Sequence, residues 1–223
     1  MILRHESYEF EMKFLENQIN VLVIEKPQVM AKLVRDLYLQ YNGKEGGFVL
    51  SDVGTIMPIE KSIEFILEPF SINCNNKKIV NKLYQELTAL AKENLMRQSM
   101  ELNFQVTAFL ETLLQEVPYH LLYKDEHDVQ EILKFADVRI DSEGETLLEQ
   151  IVEYLRVMNQ ICGCNICVFL NLKSFLSREE LKQLYDFVNY QKIYLVLLEA
   201  CEGERIECEK TFIIDRDECI IEV

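Results

Sequence analysis

The chain has 223 residues, 49% hydrophobic and 27% charged, enough to bury a core without metal or disulfide staples. Its net charge of −15, from 23 Lys plus Arg against 38 Asp plus Glu, repels nucleic acid and anionic membranes at long range, so a polyanionic partner needs a local basic patch or help from cations. The 7 cysteines, with no charged-then-apolar leader and no apolar run near the roughly 20 residues that span a bilayer, point to a reduced, cytoplasmic protein without membrane contact.

In YEFEMKF, Tyr8, Phe10, Met12 and Phe14 alternate with Glu9, Glu11 and Lys13, the period of a half-buried hairpin strand. Ile19–Ile24 is a continuous apolar run suited to a strand covered on both faces. Pro27 fits a first helical turn, and Val29, Met30, Leu33, Val34, Leu37 and Tyr38 follow at helical spacing. Asn42, Gly43, Gly46 and Gly47 end that helix; Phe48–Leu50 and Ile63–Leu67 read as strands, the second closed by Pro69.

From Asn75 to Val117 glycine vanishes. Ile79, Leu83, Leu87 and Leu90 recur at helical spacing, the phase slips over Lys92–Gln98, and it resumes at Leu102, Val106, Phe109, Leu110 and Leu113. The spacing predicts two helices about a polar turn, an antiparallel pair with arms roughly 25 Å long. Beyond it, Val129–Phe135 reads as a helix and Val138–Ile140 as a short strand. Ser142 with Glu145 reads as a capping box opening a helix to Gln160, and Ser177 with Glu180 as another before a helix through Val188. ICVFL at 166–170 and IYLVLL at 193–198 are buried strands, and Thr211–Ile214 and Cys219–Val223 flank a C-terminal turn. Strands separated by helices predict an α/β head with a mostly parallel sheet, residues 1–73 and 118–223, from which a two-helix leg, 74–117, projects.

The turn Glu25-Lys26-Pro27 stands where many phosphate-binding folds carry glycines. No GxxxxGK[ST] or GxGxxG occurs, and ICVFLNL ends in Asn171 where an NTPase wants an acidic magnesium anchor. Nucleotide is therefore not expected as a cofactor. Cys162, Cys164 and Cys167 have no fourth ligand at zinc spacing and read as buried small hydrophobes. His5, His120 and His127 sit in no local catalytic signature, so no catalytic residue is assigned.

Two charge clusters remain. Lys77, Lys78 and Lys82, with Lys92 and Arg97 beyond them, concentrate positive charge in an acidic chain; a solvated helix face competes with phosphate contact. Asp125, Glu126 and Asp128, with Glu116 and Glu131 to either side, offer oxygen ligands of the kind calcium takes, against the reading of an ordinary acidic loop.

The order of these segments resembles the Csn2 family, small non-catalytic proteins of type II-A CRISPR loci that take part in acquiring new spacers. The likeness rests on INVLVIEKPQVMAKLVRDLYLQYNGKE, the helical insert after Ile72-Asn73, VQEILKFADVRIDSEGETLLEQIVEYL, and CVFLNLKSFLSREELKQLYDFVNYQKIYLVLLE with a later strand ending TFIID. The resemblance implies a head like a degenerate P-loop NTPase that does not hydrolyse nucleotide, and a homotetrameric ring threaded by double-stranded DNA with preference for ends. It further implies calcium that stabilises the DNA-competent form, and work alongside the spacer-integration complex and the RNA-guided nuclease of the locus. Carried over residue by residue, it makes Lys61, Lys77, Lys78, Lys82, Lys92 and Arg97 the DNA contacts, and Glu116, Asp125, Glu126 and Asp128 the metal ligands. LLYK at 121–124 departs from the family's acidic run. An acidic α/β adaptor with a helical docking arm and no nucleic acid is the competing reading.

Overall fold

The computed structural model describes residues 1–124, 126–142 and 144–223. It divides into two compact units, Met1–Cys74 with Ser142–Val223, and Asn75–Asp141. In chain order the elements are β1 (Ile2–His5), β2 (Tyr8–Lys13), β3 (Ile19–Ile24), α1 (Pro27–Tyr41), β4 (Phe48–Asp52), β5 (Thr55–Met57), α2 (Ile59–Ser62) and β6 (Ile63–Ile66). The second unit holds α3 (Lys77–Asn94), α4 (Met96–Gln115) and α5 (Val129–Phe135). The chain then returns through α6 (Leu147–Gln160), β7 (Ile166–Leu170), α7 (Arg178–Tyr190), β8 (Tyr194–Glu199), β9 (Glu209–Ile214) and β10 (Ile220–Glu222).

The first unit is mixed α/β with two sheets. One, in the order β2-β1-β4-β5, is antiparallel throughout; the other runs β10-β9-β3-β8-β7-β6, parallel except for β10 at its edge. The mostly parallel sheet is as expected; the separate antiparallel sheet is an addition, because its strands β4 and β5 are short and interrupted by turn residues. All six residues of β3 are buried, which explains its unbroken apolar run: strands on either side and layers on both faces leave no position for a polar side chain. One exception is Asn20, whose amide donates to Lys13 O at 3.2 Å.

Partners in parallel register point to the same face. Leu22, Ile24, Val196, Leu198 and Phe212 join Val29, Leu33 and Leu37 of α1 and Leu3, Phe10, Met12, Phe48 and Leu50 of the antiparallel sheet in one core. The opposite face carries Cys167, Phe169, Leu195, Leu197, Val21 and Val23, all buried, on the side served by α6 and α7. The Ser177–Glu180 capping box is present at the start of α7. The box expected at Ser142–Glu145 is instead Thr146–Glu149, and α6 starts at Leu147. Thr146 satisfies the same spacing four residues on, and Glu149 accepts the backbone N–H of both Glu145 and Thr146, so the later box captures more of the free donors.

In the second unit only Leu95 separates α3 from α4, in place of the polar turn expected over Lys92–Gln98. Leu95 N–H bonds to Ala91 O and Ser99 N–H to Leu95 O, so helical bonding resumes immediately on either side. Residues 118–141, read from the sequence as part of the α/β body, group with these helices. The reasons are specific: Tyr84 Oη donates to Val138 O at 3.1 Å. Asn75 exchanges hydrogen bonds with the Ile140 backbone at 2.8 and 2.9 Å, and Asn103 does the same with the His127 backbone at 3.0 and 2.9 Å. These bonds occupy the backbone of Val138 and Ile140, which is not a strand.

Candidate nucleic-acid interface

α3 begins at Asn76, whose side chain accepts the Ile79 N–H at 3.1 Å, a cap that fixes the register of everything after it. At 100° per residue, Lys77, Lys92, Lys78 and Lys82 fall within an arc of about 140°, away from buried Ile79. All four are exposed, and on α3 they face only Glu86 and Glu93 as acids. Arg97, the second residue of α4, is exposed as well. Lys61 is exposed on α2, which belongs to the other unit.

Among the described residues the acidic candidates do not gather into one group. Glu116 caps the end of α4 and Glu126 is exposed. Asp128 is the N-cap of α5: its Oδ1 accepts Glu131 N–H at 3.1 Å, while Glu131 returns the bond to Asp128 N–H. Lys124 Nζ sits 2.7 Å from both Glu131 oxygens, and this bond holds the Glu131 carboxyl below its usual range. Asp125 lies outside the described residues. Among the described residues no three His, Cys, Asp or Glu side chains come together as a metal site.

Where a glycine-rich loop would follow the first parallel strand, Lys26 precedes Pro27 with no side-chain cap on α1, and Lys26 Nζ lies 2.6 Å from Glu218. A carboxylate of the chain itself thus holds the lysine. At the end of β7, Asn171 adopts φ 51°, and its Oδ1 accepts Ala200 N–H at 3.0 Å. Of the three clustered cysteines, Cys164 and Cys167 are buried and Cys162 is half-buried.

Two buried polar networks on the α6/α7 face have no signature in residue spacing. Glu64 of β6 accepts hydrogen bonds from Tyr154 at 2.7 Å and Tyr41 at 2.9 Å on the same oxygen; burial, with that carboxylate, raises both phenols. Glu199, at the end of β8 and only 3% exposed, accepts Lys173 N–H at 3.1 Å. Burial pushes its carboxyl up to about 7, opposed by that hydrogen bond and the Lys173 charge. Lys173 Nζ pairs with Glu209 at 2.7 Å, and Tyr185 donates to Glu209 at 2.6 Å. A strand that ends in Glu reads as a solvated terminus, which is why Glu199 escaped notice. Among the described residues no helix is long and apolar enough to cross a membrane.

Fold and surface together define a mixed α/β protein whose parallel sheet lacks a glycine phosphate loop and whose chain is interrupted by a helical unit with one basic face. The chain belongs to the Csn2 family of CRISPR-associated proteins: the family model described as CRISPR-associated protein (Cas_Csn2) matches residues 40–218. Among curated relatives, a CRISPR-associated protein Csn2 from Streptococcus agalactiae is 23% identical over 209 residues, covering 90% of this chain and 89% of the relative. Another, from Enterococcus faecalis, is 24% identical over 186 residues, covering 80% and 81%.

Proposed function

We propose that the chain is a non-catalytic, sequence-independent binder of double-stranded DNA ends that works as a homotetrameric ring during CRISPR spacer acquisition, beside the spacer-integration complex and the RNA-guided nuclease. The observation that carries this reading is the arc of Lys77, Lys78, Lys82 and Lys92, exposed on one side of α3, a phosphate-matched surface in a chain of net charge −15. The strand order supports a head of degenerate NTPase type: β3 lies between β9 and β8, and the connections leave β3 and β8 in opposite directions, the switch point at which α/β sheets hold phosphate ligands. There Lys26 is paired with Glu218.

The test is a gel-shift titration of linear duplex at low salt, with calcium or with chelator, challenged by closed circular DNA of the same sequence. Binding that resists the circles supports threading onto ends; no binding to linear duplex in either condition sinks the proposal. A second reading, a protein-docking adaptor, draws on α4, which has no buried residue although Met100, Phe104 and Phe109 are 64%, 74% and 65% exposed. Apolar surface of that kind marks a contact with protein, and retained activity after charge reversal at Lys77, Lys78 and Lys82 would favour it.

A further inference from the structure

The face of the parallel sheet beside α7 holds two buried carboxylates and one ammonium. Glu209 and Glu199 lie on strands flanking β3, in register with Ile19 and Val23, so both side chains project on the same side. Lys173 is the cation bonded to them: its ammonium is 2.7 Å from Glu209 Oε2, and its backbone N–H bonds to Glu199 Oε1 at 3.1 Å; Arg205, at the pocket's edge, is paired with Glu202. Thr211 Oγ1, buried on the same face, has no hydrogen-bond partner among the described residues. Tyr185 of α7 already donates to Glu209. With Glu199 neutral, the Lys173–Glu209 pair is balanced; with Glu199 ionised, one charge in a water-poor pocket is left over, a costly state.

The outer wall of this pocket is the segment 200–208. It packs through Ile206, 7% exposed, ion-pairs through Glu204 with Arg178 of α7, and rests on Lys173 through Glu204 O at 3.4 Å. Glu202 and Arg205 pair with each other at 2.5 Å and line the pocket of Glu199 together with Cys201; Glu207 and Cys208 complete the titratable groups of the segment. The segment is anchored at its two ends, where Ala200 N–H bonds to Asn171 Oδ1 at 3.0 Å and Cys208 O and Ile206 O accept Ile19 N–H and Glu209 N–H at 3.0 and 2.9 Å; between these ends its backbone meets the ammonium by one long carbonyl contact.

We propose that residues 200–208 form a strap that is seated while Glu199 carries a proton and lifts when Glu199 ionises, because water must then reach the surplus carboxylate. The raised carboxyl of Glu199 places the change near neutrality.

Hydrogen exchange of the amides of 201–208, corrected for intrinsic rates and followed from pH 5.5 to 8.5, tests the strap. From pH 5.5 up to the midpoint of Glu199, protection falls about tenfold per pH unit in the wild type, the slope of one linked proton, and levels off above it; in Glu199→Gln it stays flat throughout. Flat wild-type protection, or an equal fall in Glu199→Gln, overturns the proposal. Should Glu199→Gln not fold, tryptic cleavage of the wild type after Arg205 relative to Arg216 decides: the ratio rises from pH 6 to pH 8 if the strap lifts, and a constant ratio refutes it.

Discussion

Removing two lysines of the α3 arc, in Lys82→Ala with Lys92→Ala, separates phosphate contact from a merely solvated helix face. Both side chains are exposed and neither has an ion pair among the described residues, so the double variant should fold as the wild type does. Lys92 sits in the last turn, where a cation contributes roughly 0.3–1 kcal/mol against the helix dipole, and replacing Lys82 costs within about 0.5 kcal/mol. Each lost phosphate contact lowers the slope of log affinity against log salt by about 0.9; the pair therefore lowers it by about 1.8 per chain engaged. Fluorescence anisotropy of a labelled linear duplex, titrated at several salt concentrations between roughly 50 and 200 mM, reads that slope. An unchanged slope in a variant with unchanged unfolding would refute the placement of DNA on this face of α3.

Gly47→Ala should destabilise the first unit by about 1–3 kcal/mol in a urea titration, because a Cβ there would meet the buried His5 ring. Tyr154→Phe removes one donor from the buried Glu64 carboxylate and should cost about 1–3 kcal/mol, with a smaller loss for half-buried Tyr41→Phe. Stability against pH should fall on both sides. Burial lowers His5 below 6.5, so its contribution, present above that value, is lost as pH falls and the unfolded chain takes up the proton first. Glu199 is raised from 4.5 to about 7, so its contribution, present below 4.5, is lost as pH rises through that window, by roughly 3 kcal/mol. Glu199→Gln should flatten the neutral limb, and a limb that persists in that variant would refute the assignment.

Periodicity disclosed the elements whose faces are set by burial alone. Phe10 and Met12 against Glu9 and Glu11, the unbroken β3 run, and the lysine arc of α3 follow from spacing, because side-chain direction repeats every two or every 3.6 residues. Spacing says nothing of what distant segments bring. Asn75 meeting Ile140 and Asn103 meeting His127 tie 118–141 to the helical unit, each asparagine through a pair of hydrogen bonds to backbone far along the chain. Thr146 outcompeted Ser142 as a cap because both satisfied one rule and only the structure ranks them. The placement of Lys61 in a different unit from α3 was legible, since the loss of glycine after Asn75 already marked where the helical insert begins.

The division of the α/β unit between two stretches of chain bears on how the protein is made. β3 is complete once residue 24 has been synthesised, yet its neighbours β8 and β9 end at Glu199 and Ile214. At roughly 5–20 residues per second on the ribosome, INVLVI waits about 10–40 s with both edges unpaired, while α3 to α5 are already able to fold on local contacts. The nascent chain therefore passes through a stage with a finished helical unit attached to an aggregation-prone strand, and a holdase chaperone should favour that stage.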